Sequence, residues 1–139
     1  MSAILPVSRS TLPDLRADIP LSLDFVQSAS KRRDELGTEV CECMIDIGAA
    51  LFSVSSKELR KPGRTSESVS RVRQIIMYVT HVVLRLNMGE IGRGFARDRT
   101  TVQYACRVVE DLRDDPHFDR VVSVLESVAF AAFRNRLGL

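Results

Sequence analysis

Apolar residues recur at helical spacing along most of the chain, and no stretch shows the alternation of a half-buried strand. Over residues 39–52, Val40, Met44, Ile47 and Leu51 follow one another at intervals of 4, 3 and 4, which predicts a single apolar stripe on an amphipathic helix. The clearest element comes next. Val72, Ile75, Ile76, Val79, Val82, Val83 and Leu86 keep the i, i+3, i+4, i+7 rule, predicting a central core helix ended by Asn87. Residues 88–96 predict a short helix with Ile91 and Phe95 inward, and residues 99–114 a longer one with Val102, Ala105, Cys106, Val109 and Leu112 inward. A last helix over 118–136 carries Val121, Val122, Leu125, Val128, Ala129 and Ala132. The fold class is all-α.

Polar punctuation agrees with these boundaries. Ser55 with Glu58 three residues on reads as a capping box opening the short helix SKELR, and Asn87 with Glu90 reads as another. Between the first box and the core helix lies Lys61-Pro62-Gly63-Arg64-Thr65-Ser66, a loop marked by its Pro-Gly pair and carrying basic side chains. Asp98 is placed to cap the helix that follows it, and Pro116 closes that helix. Gly92 and Gly94 each weaken the short helix by about 1 kcal/mol relative to Ala, so packing must hold it. Residues 21–36 predict a short helix stopped by Gly37, and Pro6, Pro13 and Pro20 predict an extended arm before it. The resulting organisation is an N-terminal extension, 1–38, and one helical domain, 39–139.

At 139 residues the chain has room for one compact core. Its apolar runs fall far short of the roughly 18 residues a membrane span needs, and the amino terminus has no basic region ahead of its Pro6-broken apolar run, so a cytoplasmic protein is expected. Cys41, Cys43 and Cys106 make an odd count, as for reduced packing thiols, and Cys-Glu-Cys is too tight for a zinc knuckle. His81 and His117 stand alone, Ser53, Ser55 and Ser56 form no nucleophile elbow, and the expectation is no enzyme, cofactor, metal or small-molecule substrate. The net charge of +2 conceals an uneven distribution. Residues 57–113 hold twelve Lys and Arg against six Asp and Glu, leaving +6 there and −4 elsewhere. An Arg-rich segment of this kind is the footprint of a phosphate-binding surface.

A short helix, a tight connection and a longer helix opening on Arg97-Asp98-Arg99-Thr100-Thr101 have the layout of a helix-turn-helix, whose second helix enters the major groove by its first turn. The inward residues of that helix begin only at Val102, leaving the first turn free for a ligand. Asp111, Asp114, Asp115 and Asp119 gather beyond it, as a solvated face or a docking patch. The closing apolar positions Val128, Ala129, Phe130, Ala132, Phe133 and Leu137 cover more than one helical face.

These residues carry a resemblance. Arg71-Val72-Arg73-Gln74, then Glu90-Ile91-Gly92 with Phe95, then Arg97-Asp98-Arg99-Thr100-Thr101-Val102, together with IGAALFSVSSKELR upstream, resemble the C-terminal DNA-binding domain (domain IV) of the bacterial replication initiator DnaA over residues 39–130. The resemblance implies a fold of the DnaA domain IV and Trp repressor type. It implies that Arg71 reaches the minor groove and that Asp98, Arg99, Thr100 and Thr101 face the major groove. By charge and position Arg64, Arg73 and Arg97 would contact phosphates, with Lys61 as another candidate. Two positions depart from the family pattern: Arg99 stands where His is usual, and Ala96 alone where two residues, often Gly-Gly, are usual. Arg at a base-reading position favours guanine O6 and N7. The initiator's G-x-x-x-x-G-K-[ST] nucleotide loop does not occur in these 139 residues, so ATP-driven origin opening is not expected of them.

The chain resembles stand-alone alphaproteobacterial regulators with this domain, among them activators of gene transfer agent clusters. The expectation is a nucleoid-associated transcription regulator that binds double-stranded DNA sequence-specifically. The alternatives are a replication modulator competing for initiator boxes and an adaptor that recruits RNA polymerase or a co-activator protein.

Overall fold

The structure, a computed structural model, describes residues 23–139, and the arm expected over 1–20 lies outside the described residues. Six helices follow in order: α1 (Leu23–Phe52), α2 (Ser56–Arg60), α3 (Glu67–Val82), α4 (Met88–Phe95), α5 (Arg99–Leu112) and α6 (Pro116–Leu137). Among the described residues there is no strand. Contacts divide the chain after Arg32. The described part of the first unit is the opening of α1, and the second unit, from Arg33 onward, holds the core.

In that second unit α3 is the hub, packing against α2, α4, α5 and α6. Its residues Ile75 to Thr80 are buried without interruption, as suits a helix surrounded by others. The buried faces of the neighbours supply Leu59 from α2, Ile91 and Phe95 from α4, Val102, Ala105 and Val109 from α5, and Val122, Leu125, Ala129 and Phe133 from α6.

Four expectations are corrected by the packing. The first helix does not stop at Gly37 but runs through it as one 30-residue element. The intrinsic cost of a mid-helix glycine, about 1 kcal/mol, is small beside the burial of Val40, Cys41, Met44 and Ile45 that follows. The α1 stripe is also rotated from the expected one, since Cys41 and Ile45 are buried while Leu51 is 44% exposed. Glycines at 37 and 48 lie on the inward face and contribute no apolar side chain to the pattern, which hides its true centre. The core helix ends at Val82 rather than Asn87, after which Arg85 turns the chain in the left-handed region at φ 63°. Pro116, finally, is not only a stop but the first residue of α6, where its missing N–H is harmless and Asp115 accepts from the His117 amide.

The thiols and His81 are absorbed by packing, while His117 is exposed. Cys41, Cys43 and Cys106 are free. Burial, with the nearby Glu90 and Glu42 charges, pushes the Cys41 thiol up to about 12, and burial pushes Cys106 up to about 11. His81 places Nδ1 2.8 Å from the Leu86 carbonyl, bracing the α3–α4 turn. Among the described residues no cluster of His, Cys, Asp or Glu is arranged to hold a metal ion, and no helix is long and apolar enough to cross a membrane.

Candidate nucleic-acid interface

The interface is built on α4, the turn after it, and α5. Asn87 and Glu90 form the expected reciprocal capping box, the Asn87 side chain accepting from the Glu90 amide at 2.8 Å and Glu90 accepting from the Asn87 amide at 3.1 Å. The helix ends on Ala96 in the left-handed conformation, φ 52°, and the Arg97 amide returns to the Gly92 carbonyl at 2.8 Å. This tight exit and the packing on α1 explain the glycines that weaken α4. A Cβ at Gly92 would lie 2.7 Å from the Arg97 carbonyl oxygen, and one at Gly94 would lie 2.5 Å from Cys41 of α1. Close approach, not helix propensity, decides both positions: the backbone of the following turn at Gly92 and the Cys41 side chain at Gly94.

Three residues on, α5 begins. Val102, Ala105 and Val109 anchor it in the core, while Arg99, Thr100 and Thr101 at its tip are exposed. Asp98 has the extended backbone of a cap, φ −67° and ψ 149°, but its side chain makes no capping hydrogen bond, contrary to the expectation. An exposed carboxylate keeps water as its partner at little cost, so the side chain stays outward. The first turn of α5 carries no acidic residue, and its leading amides lack intrahelical partners. The dipole and those amides both favour an anion there.

The remaining candidates separate into free and engaged cations. Arg64 is exposed in the loop before α3. Arg71 is half-buried and donates to the Gln74 side-chain oxygen at 2.9 Å. Arg97, also half-buried, donates to the Lys61 carbonyl at 2.6 Å, which joins the turn to the basic loop. Arg73 is the correction. It is 6% exposed, and its guanidinium donates to the carbonyls of Leu59 and Glu58 and to the Thr65 hydroxyl, so it is not available to a phosphate. Burial, and then the charge of Arg97, lowers its pKa from the ordinary Arg value.

Three residues escaped the sequence reading. Gln103, Tyr104 and Arg107 are exposed on α5, Tyr104 to 61%, continuing the outer face beyond the tip. Their signal was present as the polar positions left between the inward residues Val102, Ala105 and Val109. The acidic cluster after α5 is partly structural, since Asp115 caps α6 and Asp119 pairs with Arg113. Asp111 and Asp114 remain exposed.

Residues 41–109, spanning the end of α1 to most of α5, match the family described as bacterial dnaA protein helix-turn-helix. The chain is a DnaA domain IV-like protein. Its helix-turn-helix is therefore of a DNA-binding class. The chromosomal replication initiator protein DnaA of Thermodesulfovibrio yellowstonii is 31% identical over 125 residues, covering 88% of this chain and 24% of that protein. That of Lachnoclostridium phytofermentans is 31% identical over 94 residues, 66% of this chain and 20% of the relative. The Mycobacteroides abscessus initiator reaches 40% over 63 residues, 45% and 13% of the two chains. This DnaA-like chain thus spans a quarter or less of these curated relatives. Among solved structures, a DNA replication initiation factor aligns with a TM-score of 0.66 at 28% identity, over 73% of this chain and 32% of that one. A replication initiator DnaA bound to AMPPCP and single-stranded DNA aligns with a TM-score of 0.63 at 27% identity, over 75% and 32%.

Proposed function

We propose that this DnaA-like domain binds double-stranded DNA sequence-specifically and acts as a transcription regulator. The observation that carries the reading is the α5 tip: Arg99, Thr100 and Thr101 exposed on a helix whose opposite face is locked in the core, next to a free Asp98 carboxylate. Arg pairs with guanine O6 and N7, Asp accepts from cytosine N4, and Thr serves either partner or a thymine methyl. Arg64 and Arg71 supply charge beside the tip, Arg71 toward the minor groove, while phosphates meet the α5 amides.

Arg99 in place of the family's usual His favours a guanine-bearing target distinct from the initiator's own boxes, and for that reason regulation at separate sites is preferred to competition at origins. In this reading RNA polymerase or a co-activator would be the protein partner at the bound promoter.

Gel shifts with fragmented genomic DNA at two salt concentrations test the proposal. Selected fragments should bind, and affinity should fall with salt at a log–log slope of about −0.9 per phosphate neutralised. Binding that is equal on every fragment overturns the sequence-specific reading, and the absence of both fragment selection and salt sensitivity leaves the adaptor reading.

A further inference from the structure

Two guanidinium groups from different elements grip the loop at residues 61–66. Arg73, on α3, donates from Nε to the Leu59 carbonyl at 2.9 Å and from Nη2 to the Glu58 carbonyl at 3.2 Å. Those carbonyls belong to the last turn of α2, where the Glu58 oxygen also accepts the capping Lys61 amide at 3.3 Å. Both Nη atoms also reach the Thr65 hydroxyl, at 3.3 and 3.4 Å, near the other end of the loop. Thr65 is joined in turn to the Ser70 hydroxyl at 3.0 Å. Arg97, from the α4–α5 turn, holds the first peptide of the loop through the Lys61 carbonyl. Between these grips the side chains of Lys61 and Arg64 are exposed, and Gly63 takes the left-handed turn at φ 82°.

A buried cation is an expensive way to fill a core. Arg73 meets carbonyl and hydroxyl oxygens in its hydrogen bonds, and an apolar side chain of similar volume would avoid the desolvation. What the guanidinium supplies is geometry, because one planar fork reaches the α2 exit and the loop's far end together.

We propose that Arg73 and Arg97 are positioning residues that clamp the 61–66 loop at a set distance from the α5 tip, so that loop cations and tip meet the duplex as one preformed surface. This rests on the DNA-binding reading above. Preordering the loop removes an entropy cost that binding would otherwise meet. It also makes the loop and the tip energetically coupled, although they lie on separate elements.

A double-mutant comparison on one selected duplex separates positioning from direct contact. Arg97→Ala and Arg73→Lys, each checked for folding by thermal melting, should weaken binding about tenfold in the native background. In a Lys61→Ala/Arg64→Ala background, where the loop has no cation left to place, each should cost less than about twofold. Amide exchange at residues 61–66 should speed up in free Arg97→Ala. The same fold-loss in both backgrounds, with the salt slope reduced by about one, would make Arg97 a phosphate contact and overturn the clamp. Unchanged exchange at 61–66 overturns it too, and Arg97→Ala decides the matter if Arg73→Lys does not fold. A native chain that selects no duplex would defeat the DNA reading and this role together; failure of the coupling or exchange result alone defeats only the clamp.

Discussion

Arg99 and Arg64 are both exposed cations, but they stand in different frames. Arg99 is the first residue of a helix anchored in the core, so its guanidinium can be aimed at one base pair, whereas Arg64 sits on an exposed loop. Arg99→Ala should therefore relax discrimination at one base pair by about 1–3 kcal/mol while sparing non-specific affinity. Arg64→Ala should weaken all duplexes alike and lower the salt slope by roughly one. Titrations on a series of single-base-pair variants check both, and equal losses on specific and random duplexes for both substitutions would abolish the distinction. The chemical type of these residues was legible in the sequence. Their availability was not: Arg71 and Arg73 are alike by charge and position at the start of α3, and only the carbonyls of α2 facing Arg73 assign it to the interior.

At the scale of the element, the α4–α5 turn places two opposite demands on positions four residues apart. Ala96 adopts a left-handed backbone that costs a non-glycine residue about 1 kcal/mol or more, so Ala96→Gly should stabilise the domain by roughly that amount. Gly92→Ala should do the reverse. It gains about 1 kcal/mol of helix propensity but sets a methyl 2.7 Å from the Arg97 carbonyl, which forces the turn to move. Urea unfolding of the two variants should show midpoint shifts of opposite sign, and DNA affinity should fall for Gly92→Ala because the α5 tip moves with the turn. Local signals of this kind were largely readable, the Asn87–Glu90 box most plainly, because a cap is a bond between near neighbours. The continuity of α1 through Gly37 was not readable, since it depends on burial against residues far along the chain.

Within the second unit, α3, α5 and α6 are tied together by Arg113, just after α5. Its guanidinium reaches Asp119, Ser123 and Glu126 of α6 and the Tyr78 hydroxyl of α3, and it lies over the Tyr78 ring at 5.6 Å. Tyr78 also donates to Glu110 at 2.6 Å. Truncation leaves several half-buried oxygens without their cation, so Arg113→Ala should cost roughly 2–3 kcal/mol, below the value for a fully buried pair because Asp119 is partly exposed. Arg93→Ala, which breaks an exposed pair with Asp34, should cost no more than about 0.5 kcal/mol. Denaturant unfolding of the two variants gives the comparison directly. Equal costs would mean that the Arg113 network does not join α3, α5 and α6.

The sequence by itself determined the helical class, the order of the five elements from α2 to α6, the α4 cap and the chemical character of the α5 tip, because each is encoded by residues within a few positions of one another. Only the tertiary structure decided which arginines are free, where the α1 stripe points and why α4 needs two glycines. Those outcomes depend on contacts between segments distant along the chain, such as Arg73 with the end of α2 and Gly94 with Cys41 of α1. Desolvation and steric exclusion act between neighbours in space, and a linear pattern records neighbours in sequence.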